Sequence, residues 1–185
     1  LGSKADPFQD VIVVNGRESS KTLEQSQIII DKLLKIGADK NSLLIGIGGG
    51  VITDLTGFVA SIYKRGIPFG FIPTTLLAAV DAAIGGKNGV NEGNIKNCIG
   101  TINQPDFLLY DYQFFSTLPK EEFANGFAEV IKYGCICDSE LFDYLEMYDL
   151  NYFIKSPVAL QMIVQKCLQI KAKIIAKEVA NLVKL

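Results

Sequence analysis

The stretch Leu43-Leu44-Ile45-Gly46-Ile47-Gly48-Gly49-Gly50-Val51-Ile52-Thr53-Asp54 decides the fold of this chain. Leu43 to Ile47 reads as a buried strand, three consecutive glycines turn the chain, and Leu55, Phe58, Val59 and Ile62 follow at helical spacing, giving a helix over Leu55–Tyr63. Strand, glycine turn and helix in that order bring backbone N–H groups up to a diphosphate at a helix N-terminus. Glycine suits the turn because a Cβ would obstruct that approach. The same order also makes a tight strand-to-helix turn with no ligand. The GGGxxxD spacing differs from the GxGxxG of the common dinucleotide fingerprint.

Working outward, Val11 to Val14 reads as a short buried strand ended by Asn15-Gly16. Thr22 to Ile36 carries Ile28, Ile29, Leu33 and Ile36 at helical spacing and closes at Gly37. Phe69 to Ile72 is a third strand, stopped by Pro73. Leu76 to Ile84 leads into a second glycine turn, Gly85-Gly86, and Phe107 to Tyr110 is a fourth strand. Apolar strands alternating with helices predict an α/β fold, a Rossmann-like parallel sheet covered on both faces. After Pro119 the pattern changes: Glu121–Ile136, Glu140–Tyr148 and Val158–Val183 read as helices with no strand between them. The expected organisation is therefore an α/β domain over residues 1–117 and the start of a helical domain over 118–185. The last helix runs to the chain end without a cap and Leu1-Gly2-Ser3 opens abruptly, so the chain is read as incomplete.

Composition narrows the function. With 49% hydrophobic and 21% charged residues, the chain has the makings of a real core. A net charge of −2 leaves no electrostatic footprint for nucleic acid or a membrane surface, and no apolar run reaches the ~18 residues of a membrane span, so neither partner is expected. A cytoplasmic location is the default reading. Cys98, Cys135, Cys137 and Cys167 lack paired CxxC spacing and are expected to be buried reduced thiols. No histidine is present, which removes the commonest neutral-pH acid–base group and zinc ligand.

Several polar residues stand out. Glu18 and Lys21 follow the Asn15-Gly16 turn as an i,i+3 pair, which alone reads as a solvated pair. Thr74 and Thr75 sit just past a strand end, where open α/β sheets bind ligands and where a helix N-cap would also be. Asp81 lies in an apolar helix and requires a ligand or lysine partner. Lys87 follows two glycines, which lets its ammonium project into a cleft as a point charge for phosphate. Lys96 and Asn97 fall on a polar loop. Glu129 and Lys132 stand at i,i+3 on one helix face, a salt pair by spacing alone.

The segment Pro73-Thr74-Thr75-Leu76-Leu77-Ala78-Ala79-Val80-Asp81-Ala82-Ala83-Ile84-Gly85-Gly86-Lys87 is far more specific. Together with the glycine turn, Arg65-Gly66, Lys96-Asn97 and Ala128-Glu129-Val130-Ile131-Lys132, it resembles the 3-dehydroquinate synthase family, from about Gly16 to about Ile175. The resemblance implies an NAD- and zinc- (or cobalt-) dependent lyase of the shikimate route. Its substrate is a small sugar phosphate, 3-deoxy-arabino-heptulosonate 7-phosphate, converted to 3-dehydroquinate and phosphate through transient oxidation by NAD. It also implies a homodimer.

Residue by residue, the resemblance makes Glu18 and Lys21 contacts to the adenosine side of NAD. Gly48, Gly49, Gly50, Val51, Ile52, Thr53 and Asp54 hold the diphosphate and neighbouring groups. Thr74, Thr75, Lys87, Lys96 and the segment Phe114, Phe115, Ser116 and Thr117 complete the cofactor side, with core packing a competing role for the two aromatics. Asp81, Lys87, Asn97, Lys132 and Lys171 face the substrate, Arg65 reaches a neighbouring subunit's site, and Glu129 binds zinc. The sequence departs from the family pattern at Ala82-Ala83 (usually serines), at Asn88 (usually threonine) and at Asn94-Ile95-Lys96. After Ile175 the family's Gly-Leu-Arg segment and zinc-binding histidines do not follow, and one glutamate cannot make a catalytic zinc site of about three protein ligands. The rival readings are another sugar phosphate cyclase, a glycerol-dehydrogenase-like polyol dehydrogenase using NAD and metal, and a non-catalytic nucleotide-binding module.

Overall fold

A computed structural model describes residues 10–182. The opening Leu1-Gly2-Ser3 and the expected helix terminus at Val183 lie outside them. Helix α1 (Leu23–Lys35) starts where the Thr22 hydroxyl oxygen accepts a hydrogen bond from the Gln25 N–H at 3.1 Å, and stops before Gly37, whose φ of +75° a glycine adopts freely. Strand β1 (Leu44–Gly48) feeds helix α2 (Gly50–Ile62), which begins inside the glycine run itself. Strand β2 (Phe69–Pro73) pairs parallel with β1. A π-helical turn, Ala78–Ala82, then leads through Gly85-Gly86 into a hairpin of β3 (Lys87–Glu92) and β4 (Ile95–Ile102). Strand β5 (Phe107–Leu108) pairs parallel with β2, giving the sheet order β1-β2-β5. A 3₁₀ turn (Tyr112–Thr117) hands over to helices α3 (Lys120–Cys137), α4 (Ser139–Glu146), α5 (Leu150–Lys155) and α6 (Pro157–Leu182).

Two cores form. In the first, α1, α2 and the strands enclose Leu33, Leu55, Val59, Phe69, Phe71 and Val90. A Cβ on Gly46 would stand only 2.6 Å from Thr56 Oγ1, so glycine lets α2 lie directly on β1. In the second core, Phe123, Val130 and Tyr133 of α3 meet Phe153, Ile163 and Cys167. Each large side chain so buried contributes about 1.5–3 kcal/mol. The second core also takes in Leu76, Ala79 and Val80, so the segment carrying Asp81 packs with the helices.

Four expectations need correction. Val11–Val14 forms no strand: Val13 is 82% exposed, and the segment lines a cavity of about 770 Å³ shared with Ile45 and Ile47 of β1. Its composition suits a strand, but among the described residues it has no ladder partner. The sheet face opposite α2 is consequently part open, with Ile45 and Ile47 exposed. The strand expected over Phe107–Tyr110 pairs only at Phe107–Leu108, with the Leu109 N–H adding one bond to Phe71 O at 2.9 Å. The region of Lys96 and Asn97 is β4, not a loop. Finally, all four cysteines are free, but only Cys167 is buried.

Candidate functional site

Among the described residues no side chain caps the N-terminus of α2. The Gly49 carbonyl accepts from the Ile52 and Thr53 N–H groups at 3.0 and 3.1 Å, and the Thr74 N–H ties the end of β2 to Gly48 O at 2.9 Å. A Cβ on Gly49 would stand 3.0 Å from Thr75 Cγ2, and one on Gly50 3.3 Å from Ala82 Cβ. Bare backbone at the positive end of a helix, cradled where side chains would crowd it, fits a diphosphate. Thr75 also takes the capping role anticipated for it, its hydroxyl accepting from the Ala78 N–H at 3.2 Å.

Beside that turn lies a cleft of about 520 Å³ whose walls include Asp54, Asp81, Lys87, Asn97, Thr101 and Lys171. Residues from both halves meet there. Lys21, buried rather than solvated, puts its ammonium on the Asp54 carboxylate and donates to Asn97 Oδ1 at 2.5 Å. Burial pushes the Asp54 carboxyl up from its ordinary range, and the Lys21 hydrogen bond pulls it part of the way back. Asn97 holds a left-handed backbone, φ +52°, which asparagine tolerates better than most residues. Its N–H donates to Asn91 Oδ1 at 2.9 Å.

Asp81 occurs inside the π-helical turn, a device that shifts a side chain relative to the regular helix and recurs at functional sites. The partner expected for its carboxylate is Lys171 of α6, whose ammonium donates to Asp81 Oδ1 at 2.5 Å. The Gly85-Gly86 turn after it uses φ values of +101° and +69°. Asn88 locks that turn, its amide donating to Gly86 O at 2.8 Å and Asn103 O at 2.9 Å.

Other predicted site residues are placed differently. Glu18, in a 3₁₀ turn rather than an α-helix, accepts from the Asn91 amide at 2.8 Å. Lys132 and Glu129 form the i,i+3 pair at 2.6 Å, and that hydrogen bond raises the lysine's pKa. Lys132, with 56% of its side chain exposed, is not among the cleft's wall residues, though Asp81 is close enough to act on its charge. Lys96 is exposed on β4, and Arg65 is exposed with a left-handed φ of +68°. Phe115 is buried in the helical core, whereas Phe114, Ser116 and Thr117 are exposed beside it. Among the described residues no three His, Cys, Asp or Glu side chains are grouped to hold a metal ion. A complete metal centre therefore does not fit these residues.

The sequence reading overlooked Asn91 and Tyr133. Asn91 was concealed because the hairpin was not recognised; its signal was Glu92-Gly93-Asn94 between the Val90 and Ile95 flanks. Tyr133 signals itself as a tyrosine on an apolar helix face, whose hydroxyl must find a partner when buried.

A family model described as 3-dehydroquinate synthase N-terminal matches residues 11–125, and one described as 3-dehydroquinate synthase C-terminal matches 126–182. The 3-dehydroquinate synthase of Saccharolobus solfataricus is 46% identical over 167 residues, covering 90% of this chain and 47% of that protein. That of Thermodesulfovibrio yellowstonii is 45% identical over 173 residues, covering 94% and 48%. The chain thus spans about half the length of the curated relatives it matches. Among solved structures, 2-epi-5-epi-valiolone synthase from Streptomyces hygroscopicus subsp. jinggangensis, with NAD+ and Zn2+ bound, superposes with a TM-score of 0.81 at 34% identity, over 85% of this chain and 45% of that one. A 2-deoxy-scyllo-inosose synthase complexed with carbaglucose-6-phosphate, NAD+ and Co2+ gives 0.78 at 25%, over 89% and 46%. No helix among the described residues is long and apolar enough to cross a membrane. The parallel sheet, the uncapped glycine turn and the two matched family models agree on one assignment: this chain belongs to the 3-dehydroquinate synthase family.

Proposed function

We propose that the chain carries the NAD-binding region and part of the substrate cleft of a 3-dehydroquinate synthase, acting on 3-deoxy-arabino-heptulosonate 7-phosphate. The supporting observation is the convergence of Asp54, Asp81, Lys87, Asn97 and Lys171 on one cleft beside the glycine turn. Relatives bearing that activity's name reach 42–46% identity, whereas the neighbouring cyclases named for other products reach 34% or less. The heptulosonate phosphate is therefore preferred over the substrates of those enzymes.

In this reading the diphosphate of NAD rests on Gly48 to Asp54, with Glu18, Lys21, Thr74, Thr75, Lys96 and Phe114 to Thr117 on the cofactor side. NAD supplies a reversible hydride acceptor for one substrate hydroxyl. Lys87 and Lys132 offset the charge of the substrate phosphate, and Asn97 and Asp81 orient polyol hydroxyls. The Lys171 ammonium takes the substrate carboxylate. Arg65 belongs to a homodimer contact reaching the neighbouring site, and the location is cytoplasmic. Glu129 is the carboxylate this chain offers to a zinc or cobalt ion, and the further donors such an ion needs are not grouped with it among the described residues.

The test is NAD-dependent phosphate release from the heptulosonate phosphate by the full-length protein. Calorimetry should show NAD binding that weakens about tenfold or more in Gly49→Val, because a branched side chain at that position crowds Thr75 and blocks approach to the backbone. Equal NAD binding by both forms, or absence of phosphate release, overturns the assignment. NAD-dependent oxidation of glycerol without phosphate release would instead identify the dehydrogenase.

A further inference from the structure

Among the described residues Asp81 has two donors, and only one of them, Lys171, is in a position to leave. Lys171 Nζ lies 2.5 Å from Asp81 Oδ1 and both groups line the cleft. The second donor is the hydroxyl of Tyr133, 3.3 Å from the same Oδ1 and 3.3 Å from the carbonyl oxygen of Val80. Tyr133 is 2% exposed and fixed in the helical core. Burial raises its pKa far above the ordinary tyrosine range, so the hydroxyl keeps its proton. That single proton serves two acceptors, both at a distance longer than an ordinary O–H···O bond. One acceptor is the backbone of the π-helical turn and the other is the carboxylate the turn presents.

We infer that Tyr133 is a positioning residue that takes over Asp81 Oδ1 when Lys171 swings to an anionic substrate. The inference rests on the proposed reading, in which Lys171 binds the substrate carboxylate. If Lys171 left without a replacement donor, Asp81 would keep an unpaired charge in a half-enclosed cleft, and that cost would be charged against substrate affinity. A hydroxyl already 3.3 Å away, held on a rigid helix, needs only to close the last few tenths of an ångström. The Val80 carbonyl gives its proton a resting acceptor until then.

Calorimetric titration of the NAD-loaded full-length protein with an unreactive phosphonate analogue of the heptulosonate phosphate tests this. Tyr133→Phe removes only the hydroxyl and is expected to weaken the analogue about tenfold, the size of one hydrogen bond to a charged group. NAD affinity should stay at the wild-type value. In an Asp81→Asn background, the same Tyr133→Phe change should alter analogue binding less than about twofold, because the carboxylate through which it acts is gone. Unchanged analogue binding in Tyr133→Phe overturns the inference. So does an equal loss in both backgrounds, or a loss accompanied by lower NAD affinity, since either marks a merely structural hydroxyl. A wild-type protein that releases no phosphate overturns both this inference and the activity. An active wild type with an indifferent Tyr133→Phe overturns this inference alone.

Discussion

Lys21 connects three parts of the chain that are remote in sequence: the end of the 3₁₀ turn at Glu18–Ser20, Asp54 on α2 and Asn97 on β4. With 6% of the lysine side chain and 15% of the aspartate exposed, the pair is largely out of water. Breaking such a pair by removing one partner costs about 3–5 kcal/mol, because the other charge is stranded. Lys21→Met should therefore destabilise the protein by about that amount at pH 7. The sign of its pH dependence follows from Asp54. Burial raises that carboxyl above its ordinary 3.8, so between 3.8 and the raised value the folded state holds more protons than the unfolded state. Stability conferred by the protonated form is then lost as pH climbs through that window, and loss of Lys21 moves the upper limit of the window higher. The penalty of Lys21→Met should shrink as pH falls toward 4, read by urea denaturation at pH 7 and pH 4.5. A penalty independent of pH would remove Asp54 as its cause.

Helix α3 meets the segment that precedes the π-helical turn through Gly126. A Cβ there would stand 2.5 Å from the Leu77 backbone nitrogen and 2.7 Å from Leu76 Cβ. Two effects compete in Gly126→Ala. Helix propensity favours alanine by about 1 kcal/mol, while overpacking against a backbone costs about 1–3 kcal/mol. Backbone cannot yield as a side-chain tip can, so a net loss of about 1–2 kcal/mol is expected by thermal or urea melting. A stabilised variant would show that α3 slides freely. The same scale explains what could be read from sequence. Helix α1, strands β1 and β2 and helix α3 have strong periodicity and clear caps or breakers, and they fold where their patterns place them. The β3–β4 hairpin escaped because Lys87, Asn88, Asn91 and Asn97 look like loop residues. Their polar groups are spent within the fold, as when Asn91 Oδ1 accepts from the Asn97 N–H and the Asn88 amide donates to Gly86 O and Asn103 O. Asp81's need for a ligand or a lysine partner was legible from its apolar setting, but Lys171 as that partner was not, since 90 positions separate them.

At the scale of the molecule, the cleft lies where the two cores meet. Leu76, Ala79 and Val80 belong to the helical core, and α6 reaches back to Asp81 through Lys171. The residues that line the cleft are therefore held by packing in both halves, and a change in either core reaches it. The sheet's other margin is less protected. Among the described residues β1 pairs only with β2, so one row of its N–H and C=O groups has no ladder, and Ile45 and Ile47 stand exposed on the adjoining face. Such a margin is a template for any extended peptide that drifts against it, including a second copy of itself. In practical terms the 185-residue chain should be a colloidally delicate preparation. Light scattering should climb with protein concentration, and Ile45→Lys, which sets a charge on the open face, should flatten that climb without altering the cleft. A monodisperse solution at every concentration, with or without the lysine, would mean that the edge is sealed.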